Sequence, residues 1–185
     1  MTKRLTTLVA VAAIAVPAAA LADQPSQQNQ KNAAKYCKAL REASGQQNFR
    51  SMFGGDENAF GKCVSQNAKK DQKQQQKAQE NAAKQCKAER DQDPAAFKEK
   101  YGTGENKKNA FGKCVSQRAK ENKAKEDQTD QNDVTAAKEC KTEQSQDRDA
   151  FKQKYGTNKN KKNAFGKCVS QKSHKLDQQG GGSTV

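Results

Sequence analysis

The chain holds no tryptophan, one histidine and three prolines in 185 residues. Aromatic residues make up 5% of it, and leucine, isoleucine and valine are scarce beyond the first 22 positions. So few large apolar side chains cannot build one large core; order must come from small local units with extra restraints. The lone histidine, His174, stands in a polar segment outside every repeated motif, which argues against a histidine-centred general base or metal site. The Gly-x-Ser-x-Gly, Walker and His-Glu-x-x-His patterns are all missing. No two cysteines are close in sequence, so neither a zinc cluster with paired ligands nor a Cys-x-x-Cys redox site is indicated. The loop around Asn158 and Asn160 is polar like an ion loop but lacks the carboxylates that calcium requires. No metal and no cofactor is expected.

What the chain does have is one motif written three times, with two cysteines in each copy. The second copy runs Ala-Ala-Lys-Gln-Cys86-Lys, Phe97-Lys-Glu-Lys-Tyr101-Gly and Asn109-Ala-Phe-Gly-Lys-Cys114-Val-Ser-Gln. The third repeats it around Cys140, Phe151, Tyr155 and Cys168; the first is looser, around Cys37, Phe49, Phe53 and Cys63. All six cysteines fall inside the copies. One pair per copy predicts the bridges Cys37–Cys63, Cys86–Cys114 and Cys140–Cys168, each closing a loop for about 3 kcal/mol on the chain-entropy argument.

Within a copy the apolar residues recur at helical spacing: Cys86, Phe97 and Tyr101 on one face, and Phe111, Cys114 and Val115 as a stripe in which Phe111 is expected to be buried. Asp93-Pro94 reads as an N-cap followed by a first-turn proline, Gly102 as a helix stop, and Asn109 as the cap of the second arm. The expected fold class is therefore all-α, a tandem array of three disulfide-stapled helical hairpins. Their expected bounds are 33–67, 82–118 and 136–172, each a unit small enough to need its staple.

The remaining segments read differently. Lys3 and Arg4, the apolar stretch Leu8–Ala20 broken only by Pro17, and Ala20-Leu21-Ala22 have the form of an export signal over 1–22 with cleavage near Ala22. That stretch is too short to span a bilayer, and no later segment comes close. An exported chain sits in an oxidising compartment, where paired cysteines form disulfides. The leader 23–32 and the tail 173–185 read as disordered. The linker 68–81 reads either as one long helix running into the second unit or as a disordered Lys/Gln tract. The linker 119–135 carries an Asp/Asn/Thr cluster at 127–133 that predicts an interruption.

Charge is the strongest functional clue. Lysine and arginine number 35 against 21 acids, a net +14. Removing Lys3 and Arg4 leaves +12, because 1–22 contains no acid. Lys107, Lys108 and Lys113, and again Lys161, Lys162 and Lys167, gather at the start of a second arm, where a helix N-terminus also favours anions. The first unit has Asp56-Glu57 in the matching loop.

The motif Ala-Ala-Lys-x-Cys-Lys … Phe-Gly-Lys-Cys-Val-Ser resembles one found in uncharacterised exported bacterial proteins. The resemblance covers the three units and implies export and repetition only. The reading that follows from the residues is a secreted or extracytoplasmic, non-catalytic binding or structural module. Its expected partner is a polyanion, whether an envelope polymer, nucleic acid or anionic lipid. The alternatives are a cationic effector acting on nucleic acid or anionic membranes and, least favoured, an enzyme.

Overall fold

The structure is a computed structural model describing residues 24–180; the expected signal segment and residues 181–185 lie outside the described residues. Among those described there are seven helices and no strand: α1 (Gln27–Ser44), α2 (Gln46–Met52), α3 (Ala59–Gln92), α4 (Pro94–Tyr101), α5 (Ala110–Gln146), α6 (Arg148–Tyr155) and α7 (Ala164–Gly180). The three bridges form as expected, one per unit, with Cα–Cα distances of 6.0 Å. Each joins the first arm of a hairpin to its second.

The breaks inside the first arms are local in origin. The carboxylate of Asp93 accepts from the N–H groups of Ala95 and Ala96 at 3.0 and 2.9 Å, and Pro94 opens α4 as its first residue. Asp147 does the same for α6. Gly45, at φ 81°, makes the equivalent break in the first unit.

Two caps stand where expected but with a different geometry. Asn109 holds the N-cap position of α5, yet its side chain makes no capping hydrogen bond. Its amide oxygen accepts from the Thr103 N–H and its amide nitrogen donates to the Thr103 hydroxyl, clamping the inter-arm loop; Asn163 repeats this on Thr157. Gly102 stops α4, but not through a left-handed turn: its φ is −76°. It is required because a Cβ there would sit 2.5 Å from the Lys98 carbonyl and from Cβ of Lys107. The left-handed residue in this loop is instead Lys107, at φ 48°, matched by Lys161 at 55°.

Three boundaries also change, while the first linker takes the helical of its two expected forms. The leader expected to be disordered is helical from Gln27, where the Ser26 side chain accepts from the Asn29 N–H and buried Asn29 pairs with Gln75. The first linker lies inside the 34-residue α3. The second is not interrupted: α5 runs unbroken for 37 residues. The cluster at 127–133 stays helical: the Thr129 hydroxyl turns back on the Lys125 carbonyl, while other polar groups engage side chains instead of competing for the backbone. Tyr36 donates to Asp133, Gln128 to Asn132, and Asn132 to Asp177 of α7. Such tertiary contacts outweigh propensities of a few tenths of a kcal/mol per residue. The expected disordered tail is helical to Gly180, with Ser173 buried and Leu176 packed on the core.

Units one and three share one core. Cys37, Leu40 and Phe49 pack with Cys140, Phe151, Phe165 and Val169, and α2 seats against α7. Unit two has a separate small core of Cys86, Phe97, Tyr101, Ala110 and Cys114. The long α3 and α5 pack along each other and carry unit two at the far end. The alanine one turn before the first cysteine is buried in every unit (Ala33, Ala82, Ala136), where a larger side chain would hold the arms apart. Phe111, expected to be buried, is 36% exposed, because among the described residues no other unit covers this face of unit two.

Candidate functional site

The six lysines singled out by sequence do not form one site. The 37-residue α5 spans about 55 Å, and α7 starts against its last turns, so the two clusters lie roughly 50 Å apart at opposite ends of the molecule. Among the described residues Lys108, Lys113, Lys162 and Lys167 make no ion pair and are exposed. Lys107 is paired with Glu99, and its stem packs beside Gly102. Lys161 donates to Gln153 at 3.1 Å.

The surroundings of the two clusters differ in charge. In unit two, Glu99 and Glu105 line the same depression as Lys98 and Lys107. The corresponding residues of unit three are Gln153 and Lys159, and Arg148 stands where unit two has Pro94. The one acid gained, Asp149, contacts Lys152 at 3.4 Å. Unit three also faces unit one, and the seam between them brings Lys141, Arg148 and Lys152 near Lys161 and Lys162. Sequence reasoning missed these three cations because they join the cluster only when two distant units pack together. The loss of Glu99 and Glu105 between copies was the available signal.

Two other charged groupings are structural in form. In unit two Glu89 accepts from Lys100, Arg118 and the Tyr101 hydroxyl, and the hydrogen bonds from Lys100 and Arg118 hold its carboxyl down at about 2. In unit three Glu143 takes Lys154, Tyr155 and Lys172. Burial works against its charge, but these hydrogen bonds outweigh it and its carboxyl also lies low.

Along the α3–α5 seam the opposite holds. Burial, with the charge of Asp71 added, raises Glu126 to about 7. Burial likewise raises Asp130 to about 6, and Asp71 is raised by the same cause. Among the described residues one carboxylate oxygen of Glu126 is buried without a hydrogen-bond partner.

Among the described residues no three potential metal ligands come together, and no helix is long and apolar enough to cross a membrane. Comparison with protein-family models, curated proteins and solved structures finds no match.

Proposed function

We propose that the protein is an exported, non-catalytic repeat module that binds polyanionic polymers at the cell envelope or outside the cell. The observation that carries this reading is the placement of exposed, unpaired lysines beside the starts of α5 and α7, on a chain of net +14. Two basic patches about 50 Å apart suit a long polymer better than a small anion, since engaging the second patch becomes intramolecular once the first is bound. The disulfides and the lack of a spanning helix among the described residues are compatible with an extracytoplasmic location. The cysteines and most of the aromatic rings are occupied by the cores, which leaves little apolar surface for insertion into a bilayer.

The test is binding to heparin, DNA and anionic vesicles as a function of salt. The parent binds at low salt, and affinity falls steeply beyond 0.15 M, where the screening length is about 8 Å. Replacing Lys107, Lys108, Lys113, Lys161, Lys162 and Lys167 with glutamine lowers affinity at least tenfold. A parent that binds nothing at low salt, or a variant that binds equally, reduces these lysines to a solvating surface.

A further inference from the structure

The seam between units one and three contains a cleft of about 580 Å3, within the range of small-ligand sites. One wall is α2, with Gln47, Asn48 and Ser51. The other is the end of α5, the α6 helix and the loop that follows it. The walls are tied together by Asn48, which donates to Gln144 at 2.8 Å. Five cations line the cleft, namely Lys141, Arg148, Lys152, Lys161 and Lys162, and among the described residues no aspartate or glutamate does. Lys141 extends across the α1–α2 break, its ammonium 3.5 Å from where a Cβ on Gly45 would sit. Lys141, Arg148 and Lys162 make no ion pair among the described residues.

Of these five like charges only Lys152 has an ion-pair partner among the described residues, Asp149 at 3.4 Å; the others repel one another, and an anion in the cleft relieves that cost. The depression on unit two is not built this way. There Glu99 pairs with Lys107 and Glu105 lines the same depression, and among the described residues no second unit provides a facing wall. Unit three has lost both acids and gained Lys159 and Arg148, so the two copies have diverged in the direction of an anion site at one end only.

We infer that this cleft binds a short stretch of an anionic saccharide, two to four sugar units bearing carboxylate, sulfate or phosphate groups. The inference rests on the polyanion reading and gives it a location. Charge alone does not select a sugar. The amide and hydroxyl groups of Gln47, Ser51 and Gln144 between the cations are suited to ligand hydroxyls. Among the described residues the sole aromatic side chain lining the cleft, Phe165, is 2% exposed and offers no platform on which a base could stack, which disfavours nucleic acid. The guanidinium of Arg148 can take an acidic group through two parallel hydrogen bonds, which the lysines cannot.

The test uses the full exported chain and calorimetric titration with a heparin tetrasaccharide, with tetragalacturonate as the carboxylate-only counterpart, at 0.15 M salt. The triple variant Lys141→Gln, Arg148→Gln, Lys162→Gln weakens tetrasaccharide binding at least tenfold. The charge-matched triple variant Lys107→Gln, Lys108→Gln, Lys113→Gln in unit two changes it less than threefold. Gln47→Trp, a neutral substitution on the exposed rim, also weakens binding by blocking the cleft, with an unchanged melting curve showing that the fold is intact. Equal losses in both triple variants overturn the cleft while leaving general polyanion binding standing. A single-stranded oligothymidylate of equal charge that binds as tightly as the tetrasaccharide overturns the saccharide assignment. A parent that binds no polyanion at any salt removes the underlying function as well.

Discussion

Three phenylalanines occupy the same place in the motif and meet three different environments. Phe165 is 2% exposed beneath α2 of unit one; Phe60 is half-buried with Arg41 stacked on it; Phe111 is 36% exposed with the Arg90 guanidinium 5.3 Å from its ring centre. Sequence places all three on the apolar stripe of the second arm and cannot rank them, because what covers a ring comes from another unit. Phe165→Ala is expected to cost about 3–5 kcal/mol by leaving a cavity in the shared core, and Phe111→Ala about 1 kcal/mol. Equilibrium denaturation of the two variants reads this directly, and equal costs would contradict the separate-core arrangement. A second residue pattern becomes legible only with the structure in hand. Glu89, Tyr101 and Arg118 form one hydrogen-bonded set, and Glu143, Tyr155 and Lys172 form its counterpart. The equivalent positions of unit one are Leu40, Phe53 and Asn67, a wholesale exchange of polar for apolar or neutral groups, with Asn67 donating to the Cys63 carbonyl instead. The looseness of the first copy is thus a coordinated substitution at three contacting sites, which leaves no buried charge unpaired.

Helices were legible from period and punctuation where the deciding interaction was local. The Asp93-Pro94 start, the alternation of arms and the cysteine pairing all depend on neighbours in sequence or on one hairpin. The continuity of α5 was not legible. Its Asp/Asn/Thr segment has turn-forming chemistry, and it remains helical because α1, α3 and α7 surround it. That packing has an electrostatic consequence. Asp71 from α3 and Glu126, Asp130 and Asp133 from α5 meet in the seam, with Tyr36 of α1 on Asp133 and Lys70 and Lys123 as the opposing cations. Since folding raises Glu126 to about 7, the folded seam binds protons more readily than the unfolded chain. The corresponding stability is fully present below the ordinary glutamate value and is lost as pH rises through about 7. Glu89, held down at about 2, acts in the other sense: its contribution is present above the ordinary glutamate value and is lost as pH falls towards 2. Stability is therefore expected to peak in mildly acidic solution. Glu126→Gln should raise the melting temperature at pH 8 and flatten its decline between pH 5 and 8. A variant that melts with the same pH profile as the parent would show that the seam does not sense its own charge.

At the scale of the whole molecule the three copies are not three equivalent domains. A hairpin of this size usually needs a staple, and unit two has only its own small core around Cys86–Cys114. Units one and three have two bridges and a joint core that neither holds alone, so a picture of three self-sufficient units gives way to one composite body and one outlying hairpin. The composite body also owns the cation-lined cleft, whereas the depression on the outlying unit is lined by Glu99 and Glu105, with Glu99 paired to Lys107. The division predicts unequal responses to loss of a bridge. Removing Cys86–Cys114 by double alanine substitution should cost unit two about 3 kcal/mol, most of what so small a core can supply. Hydrogen exchange of the full chain would then show residues 94–118 losing protection while 33–63 and 136–169 keep theirs. Removing Cys140–Cys168 should instead lower protection in unit one as well, because Phe49 and Leu40 rest on the same core as Phe151 and Phe165. If loss of either bridge were felt only within its own unit, the shared core would contribute little, and the cleft between units one and three would lack the fixed walls that the proposed saccharide binding requires.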